Sequence, residues 1–207
     1  MAIVTVSRQY GSGGSEVAER IARALGWKLY DNAVVDEVAA RLGITPAEVS
    51  EREERLPTLS ERLASTMSLA VPEVMTTGEY AVIPPSEDRI VDVTQRVMED
   101  AVRAGPAVIV GRGAQCLLAR RSDALHVFCY APVESLIEHT MNALGLRAEE
   151  ARRKVNEMNA RREDYVKRHW KREWRDLSNY HLCVNTAWLG IDGAAELVTR
   201  MAKEKFA

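Results

Sequence analysis

The chain has 207 residues, 46% of them hydrophobic and 28% charged, which is enough for one buried α/β core and too evenly polar for a membrane bundle. Lys+Arg 28 against Asp+Glu 30 leaves a formal charge of -2, so the chain as a whole is no polyanion binder, and a nucleic-acid role would need a local basic patch. Cys116, Cys129 and Cys183 fall without CxxC or Cys/His spacing, and the four histidines show no ligand spacing. The odd cysteine count reads as reduced core thiols.

Ala2-Ile3-Val4-Thr5-Val6 is a β-branched opening strand, followed by the glycine-rich run Ser7 to Ser15 and a helix with Val17, Ile21, Ala22 and Leu25 on one face. Gly26 is a C-cap, Trp27 to Tyr30 a short strand, and Asp31-Asn32 the cap of a second helix carrying Val34, Val35, Val38, Ala39 and Leu42. Thr45-Pro46-Ala47-Glu48 reads as a capping box with proline at the first helical position. From Glu51 to Pro85 the pattern weakens, as in a partly helical insertion outside the main sheet. Ser86 starts a helix with Ile90, Val93, Val97 and Ala101 inward, stopped by Gly105-Pro106.

Ala107 to Val110 is an unbroken apolar run, expected of a central parallel strand, and delivers Gly111-Arg112-Gly113 at its carboxyl end. Leu125 to Tyr130 is the next strand, and the helix after Ala131-Pro132 is expected to bury Val133, Ile137, Met141 and Leu144. Residues 148 to 177 form a charged helical stretch whose Tyr165, Trp170 and Trp174 are expected to pack inward. His181 to Thr186 is the last strand, and Asp192 is read as the cap of a final helix with Ala194, Leu197, Val198 and Met201 on one side. Asn185 and Thr186 are either a turn or the border of a base-binding edge. Short strands alternating with helices give an α/β fold with a parallel, doubly wound five-stranded sheet. The chain starts on a strand with no leader-like segment, and no run approaches the roughly 18 apolar residues of a membrane span. The expected location is cytoplasmic.

Strand, glycine turn and helix together make a phosphate site, because glycines let backbone N–H groups curl toward an anion at the positive end of a helix. Against the pattern G-x-x-x-x-G-K-[ST], Arg8 stands at the first glycine and Gly14 replaces the lysine. Gly11, Ser12, Gly13, Gly14 and Ser15 remain as the cradle, with the Ser15 hydroxyl in reach of a magnesium ion. The bland reading is a flexible Gly/Ser turn. Arg112 suits a phosphate through two parallel N–H bonds, or else pairs with a neighbouring carboxylate. Arg161, Arg162 and Arg168 form a candidate lid over a transferring phosphoryl group, or else one solvated helix face. Asp31 lies near the loop; capping accounts for it, and an acceptor-side role is the second reading.

The segments VSRQYGSGGSEVAERIARALGWKLYD, AVIVGRGAQCLLAR, HVFCYAPVESLIEH and NYHLCVNTAWLGIDGAAELV resemble the cytidylate kinase-like family, a branch of the P-loop nucleoside monophosphate kinases. The resemblance covers nearly the whole chain outside residues 50 to 85. It implies a single P-loop kinase-like domain with its core at 1–44, 86–147 and 178–207, a monophosphate-binding insertion at 45–85 and a lid at 148–177. It further implies transfer of the γ-phosphoryl group of ATP to CMP or dCMP with Mg2+. By position, Gly11 to Ser15 would hold the ATP phosphates, Arg112 and Asp31 the monophosphate, and Arg161, Arg162 and Arg168 the lid. The absent lysine is shared with this branch, and Arg8 or a lid arginine would stand in for it. Gly113, Gln115, Leu136 and Asn159 depart from the residues this resemblance leads one to expect. The rival readings are a nucleotide-binding protein without catalysis and a kinase for another small acceptor. RNA binding ranks last, since Glu149, Glu150, Glu157, Glu163 and Asp164 offset the basic helix.

Overall fold

Strand β1 (Ile3–Arg8) is the middle of a five-stranded sheet, flanked by β3 (Ala107–Val110) on one side and β4 (Ala124–Tyr130) on the other. The short strand β2 (Lys28–Tyr30) lies outside β3, and β5 (Leu182–Asn185) outside β4, giving the order β2-β3-β1-β4-β5. All four pairings are parallel. The computed structural model describes residues 1–49 and 86–207, so the expected insertion from Glu51 to Pro85 lies outside the described residues.

The period of two along each strand sorts the core into two layers. Ile3, Ala107 and Ile109 face α2 (Asn32–Leu42) and α3 (Glu87–Ala104). Val4, Val6, Val108 and Val110 face α1 (Gly14–Leu25) and the C-terminal helix. Val108, Ile109 and Val110 are wholly buried, each worth about 1.5–3 kcal/mol of transfer free energy. As its apolar run leads one to expect, β3 is an interior parallel strand buried on both faces, while β1, which leads directly into the glycine run, is the middle of the sheet. The capping box forms as expected: Thr45 N–H donates to Glu48 Oε2 at 2.8 Å, and Glu48 N–H to Thr45 Oγ1 at 3.2 Å. Ser86 Oγ accepts from Arg89 N–H at 3.3 Å and starts α3.

A single-turn helix α4 (Ala114–Leu117) follows the Gly-Arg-Gly corner. Helix α5 (Val133–Leu144) follows β4, and α6 (Ala148–Trp170) is the charged helix, ended by Lys171 in the left-handed region. Helix α5 buries only part of the expected face, with Ile137 buried and Met141 packed partly inward. Val133 is 46% and Leu144 48% exposed, while Leu136, Ile137 and Thr140 are buried. The helix is turned so that the Leu136 carbonyl and the Thr140 hydroxyl abut Gly11. Helix α7 (Thr186–Phe206) begins before the expected cap. Asn185 Oδ1 accepts from the N–H groups of Ala187 and Trp188, the helix breaks at Gly190, and Asp192 pairs with Arg20 at 2.9 Å instead of capping. Tyr165 and Trp174 are buried and Trp170 packs against them, as their spacing predicts. Cys116 and Cys129 are buried thiols, whereas Cys183 on edge strand β5 is exposed.

Candidate functional site

The order of the strands reverses about β1, and in open α/β sheets the crevice at such a point, beyond the carboxyl ends, is where ligands bind. Arg8 ends β1 there, and Gly111 follows the end of β3. The loop between β1 and α1 turns through Gly11 at φ 82 and Gly13 at φ 69, left-handed conformations that glycine adopts without strain. A side chain at Gly11 would also run into the Leu136 carbonyl, so α5 closes the back of the loop. The front is braced by α6, where Asn159 Oδ1 accepts from Tyr10 N–H at 2.8 Å.

This loop opens into one cavity, bordered by Gly11, Gly13, Gly14 and Ser15 together with His139 of α5. Ser12 is the exception among the expected cradle residues: it is buried, and its hydroxyl donates to the Gln9 carbonyl at 2.8 Å, so it shapes the loop from within. His139, which spacing did not single out, holds the Gly11 carbonyl through Nδ1 at 2.9 Å. Its signal in the sequence was only its place on the helix that follows β4.

A second cleft, partly open to solvent, lies beside Gly111, Arg112 and Gly113. Among the described residues, its border includes Arg8, Arg112, Arg161 and Arg162 and no carboxylate. Arg112 stands in the left-handed region at φ 51, with Nη1 donating to the Asp31 carbonyl at 3.3 Å. Among the described residues, Arg8 and Arg162 are common to both cavities.

Arg8 ties these parts together. Its Cβ and Cγ fill the space in front of Gly14, and its guanidinium lies against Gly111. Its Nη2 is 3.7 Å from Asp31 Oδ1. The expected capping by the Asp31 side chain is absent; the carboxylate serves Arg8 instead. Arg162 reaches back from α6 to donate to the Arg8 carbonyl at 2.7 Å, and its guanidinium lies 5.5 Å from the Tyr10 ring centre.

Of the three lid candidates, Arg161 and Arg162 border the clefts and Arg168 does not. Arg168 pairs with Asp164 at 2.6 Å and with Glu87 at the start of α3. Burial pushes the Glu87 carboxyl up, but the His169 hydrogen bond and the Arg168 charge outweigh it and hold it below the usual value. Arg168 therefore fastens the end of α6 to α3. Among the described residues, no group of three or more His, Cys, Asp or Glu side chains is placed to hold a metal ion. No described helix is long and apolar enough to cross a membrane.

The profile of the cytidylate kinase-like family matches residues 3–187. The chain belongs to that family. A protein from Eubacterium ventriosum, titled only as uncharacterized, superposes with a TM-score of 0.71 at 18% identity, covering 98% of this chain and 99% of its own. Shikimate kinase from Acinetobacter baumannii in complex with shikimate gives 0.53 at 16% identity, covering 100% of this chain and 96% of its own. A gluconokinase from Sinorhizobium meliloti gives 0.52 at 14% identity, over 98% and 94% of the two chains. At these identities the likeness establishes the fold, that of the P-loop kinases. Comparison with curated proteins gives no match.

Proposed function

We propose that this cytidylate kinase-like chain transfers the γ-phosphoryl group of Mg-ATP to an anionic acceptor, with CMP or dCMP as that acceptor. The observation that carries the reading is the pair of cavities that meet at Arg8 and Arg162. A triphosphate on the glycine loop and an acceptor beside Arg112 would put the reacting oxygen and phosphorus between two guanidinium groups. An acceptor phosphate oxygen bonds to the γ-phosphorus as the bond to the bridging oxygen breaks, and ADP leaves with that electron pair. This chemistry asks the protein for positioning and positive charge rather than covalent participation.

In this reading the N–H groups of Gly11 to Ser15 take the triphosphate, and Ser15 offers its hydroxyl to the magnesium ion that the nucleotide brings. Arg112 grips the acceptor phosphate with a planar fork. Asp31 belongs to the acceptor side through Arg8 and Arg112, orienting both. Arg161 adds charge from the lid. Residues 148–177 act as that lid, with Arg168 as its fastening. The cytoplasmic location and the absence of a nucleic-acid partner form part of the same proposal.

The test is ADP release in the presence of CMP. The expected result is saturable turnover, with the CMP KM raised in Arg112→Ala. Turnover no faster than without enzyme removes the kinase reading, and a melting shift with ATP alone would then favour a nucleotide-binding protein without catalysis. A second reading, a kinase for another small anion, draws support from the four arginines and the lack of carboxylates among the described residues of the cleft, which suit any acidic acceptor. A panel including shikimate and gluconate separates the two.

A further inference from the structure

Gln115 is 1% exposed, the most deeply buried polar side chain on the border of the Arg112 cleft. Its Oε1 accepts from Ser7 Oγ at 3.0 Å. Its Nε2 has no hydrogen-bond partner among the described residues. A buried amide N–H2 left unmatched is unfavourable, and such groups persist where a ligand matches them. The remaining border divides by chemistry. Arg8, Arg112, Arg161 and Arg162 supply charge, while Met158, Tyr165, Val166 and Trp174 supply apolar surface. Guanidinium groups suit the charged part of an acceptor. A neutral amide donor beside apolar walls suits a neutral carbonyl oxygen or ring nitrogen.

We infer that Gln115 is a specificity residue: its Nε2 donates a hydrogen bond to the carbonyl or ring nitrogen of the acceptor's base. The inference rests on the nucleotide reading of the cleft. Ser7 has the part of orienting the amide, by holding the oxygen so that the nitrogen is presented. If the side chain served packing alone, the Ser7 bond would need only an oxygen, and a carboxylate would do as well as an amide. Gln115→Glu therefore keeps the shape and the Ser7 bond while removing the donor. Gln115→Met removes the donor without adding charge.

The experiment is calorimetry of CMP, of ribose 5-phosphate and of ATP with the wild-type chain and both variants. Ribose 5-phosphate carries the sugar and phosphate without the base. The expected result is that both variants weaken CMP by about tenfold or more, the scale of one buried hydrogen bond. Binding of ribose 5-phosphate to Gln115→Met should stay within about twofold, and ATP binding should be unchanged in both variants, which also reports that they fold. CMP bound equally well by the variants, or equal loss for CMP and ribose 5-phosphate in Gln115→Met, overturns the role of Gln115 while leaving the nucleotide reading intact. A wild-type chain that binds ribose 5-phosphate but not CMP overturns both.

Discussion

The β-carbon of Arg8 occupies the space that a β-carbon at Gly14 would need. Cγ of Arg8 would stand 2.9 Å, and Cβ of Cys129 3.1 Å, from such an atom. The missing lysine of the phosphate loop is thus a packing consequence: with an arginine ending β1, the next turn has no room for a side chain. Restoring the lysine should therefore harm the protein. Gly14→Lys is expected to lower the melting temperature and weaken ATP binding by at least about tenfold, since overpacking a close contact costs roughly 1–3 kcal/mol. Calorimetry and thermal melting check this; a gain in turnover on Gly14→Lys would contradict it.

Arg162 and Arg168 lie on the same helix, six residues apart in number, and face different tasks. Arg162→Ala removes a guanidinium common to both cavities and should cut kcat by roughly 10²- to 10³-fold, the scale of losing one preorganised donor. Arg168→Ala breaks the tie to Glu87 and Asp164 and should lower the melting temperature while kcat stays within about threefold. Steady-state kinetics beside thermal melts separate them, and the reverse pattern would show that the fastening and the site have been interchanged.

Gly113 is pressed against the indole nitrogen of Trp170, and Cδ1 of that ring would lie 2.8 Å from an added β-carbon. Gly113→Asp is expected to displace Trp170 from its packing, shift its fluorescence to longer wavelength and raise the acceptor KM. An unchanged emission spectrum in the folded variant would count against this packing.

His126 is buried within strand β4, with Nδ1 2.8 Å from Thr5 Oγ1 and its ring stacked on His181 at 4.9 Å between centres. Burial first, and then the nearby His181 charge, lower its pKa to about 4. The unfolded chain protonates near 6.5, so between those values it binds more protons than the folded one. Stability should fall as pH drops from about 6.5 toward 4, by roughly 3 kcal/mol if no other group compensates. Urea unfolding as a function of pH measures the slope. In His126→Gln the slope over that window should flatten, and an unaltered slope would exclude His126 as its source.

The alternation of strands and helices, the capping box at Thr45 and the inward aromatic residues of α6 were legible because each depends on near neighbours in sequence. Residue types pointed to one place: the glycines of the first turn, the arginine after a buried strand and two of the three arginines singled out on the charged helix all border the two cavities. What could not be read was which side chain fills which space. Gly14 looks like a lost lysine until Arg8 is seen in front of it, and Gly113 looks like a mere departure from the family's pattern until Trp170 is seen to cover it. The face of α5 was read only in part, Ile137 and Met141 being inward but Val133 and Leu144 exposed, for the same reason. Leu136 and Thr140 are drawn inward by contact with Gly11, more than 120 residues earlier, and no periodicity reports that. Asp31 has a composition suited to a cap, yet the charge of Arg8 claims its carboxylate.

Helix α6 holds main-chain atoms of the opposite wall, the Arg8 carbonyl through Arg162 and the Tyr10 amide through Asn159. In the proposed kinase reading these two ties close α6 onto the loop that would hold the nucleotide, and its release is expected to require that they break. Product exit is then expected to limit the proposed cycle, in which case turnover should decline as solvent viscosity rises.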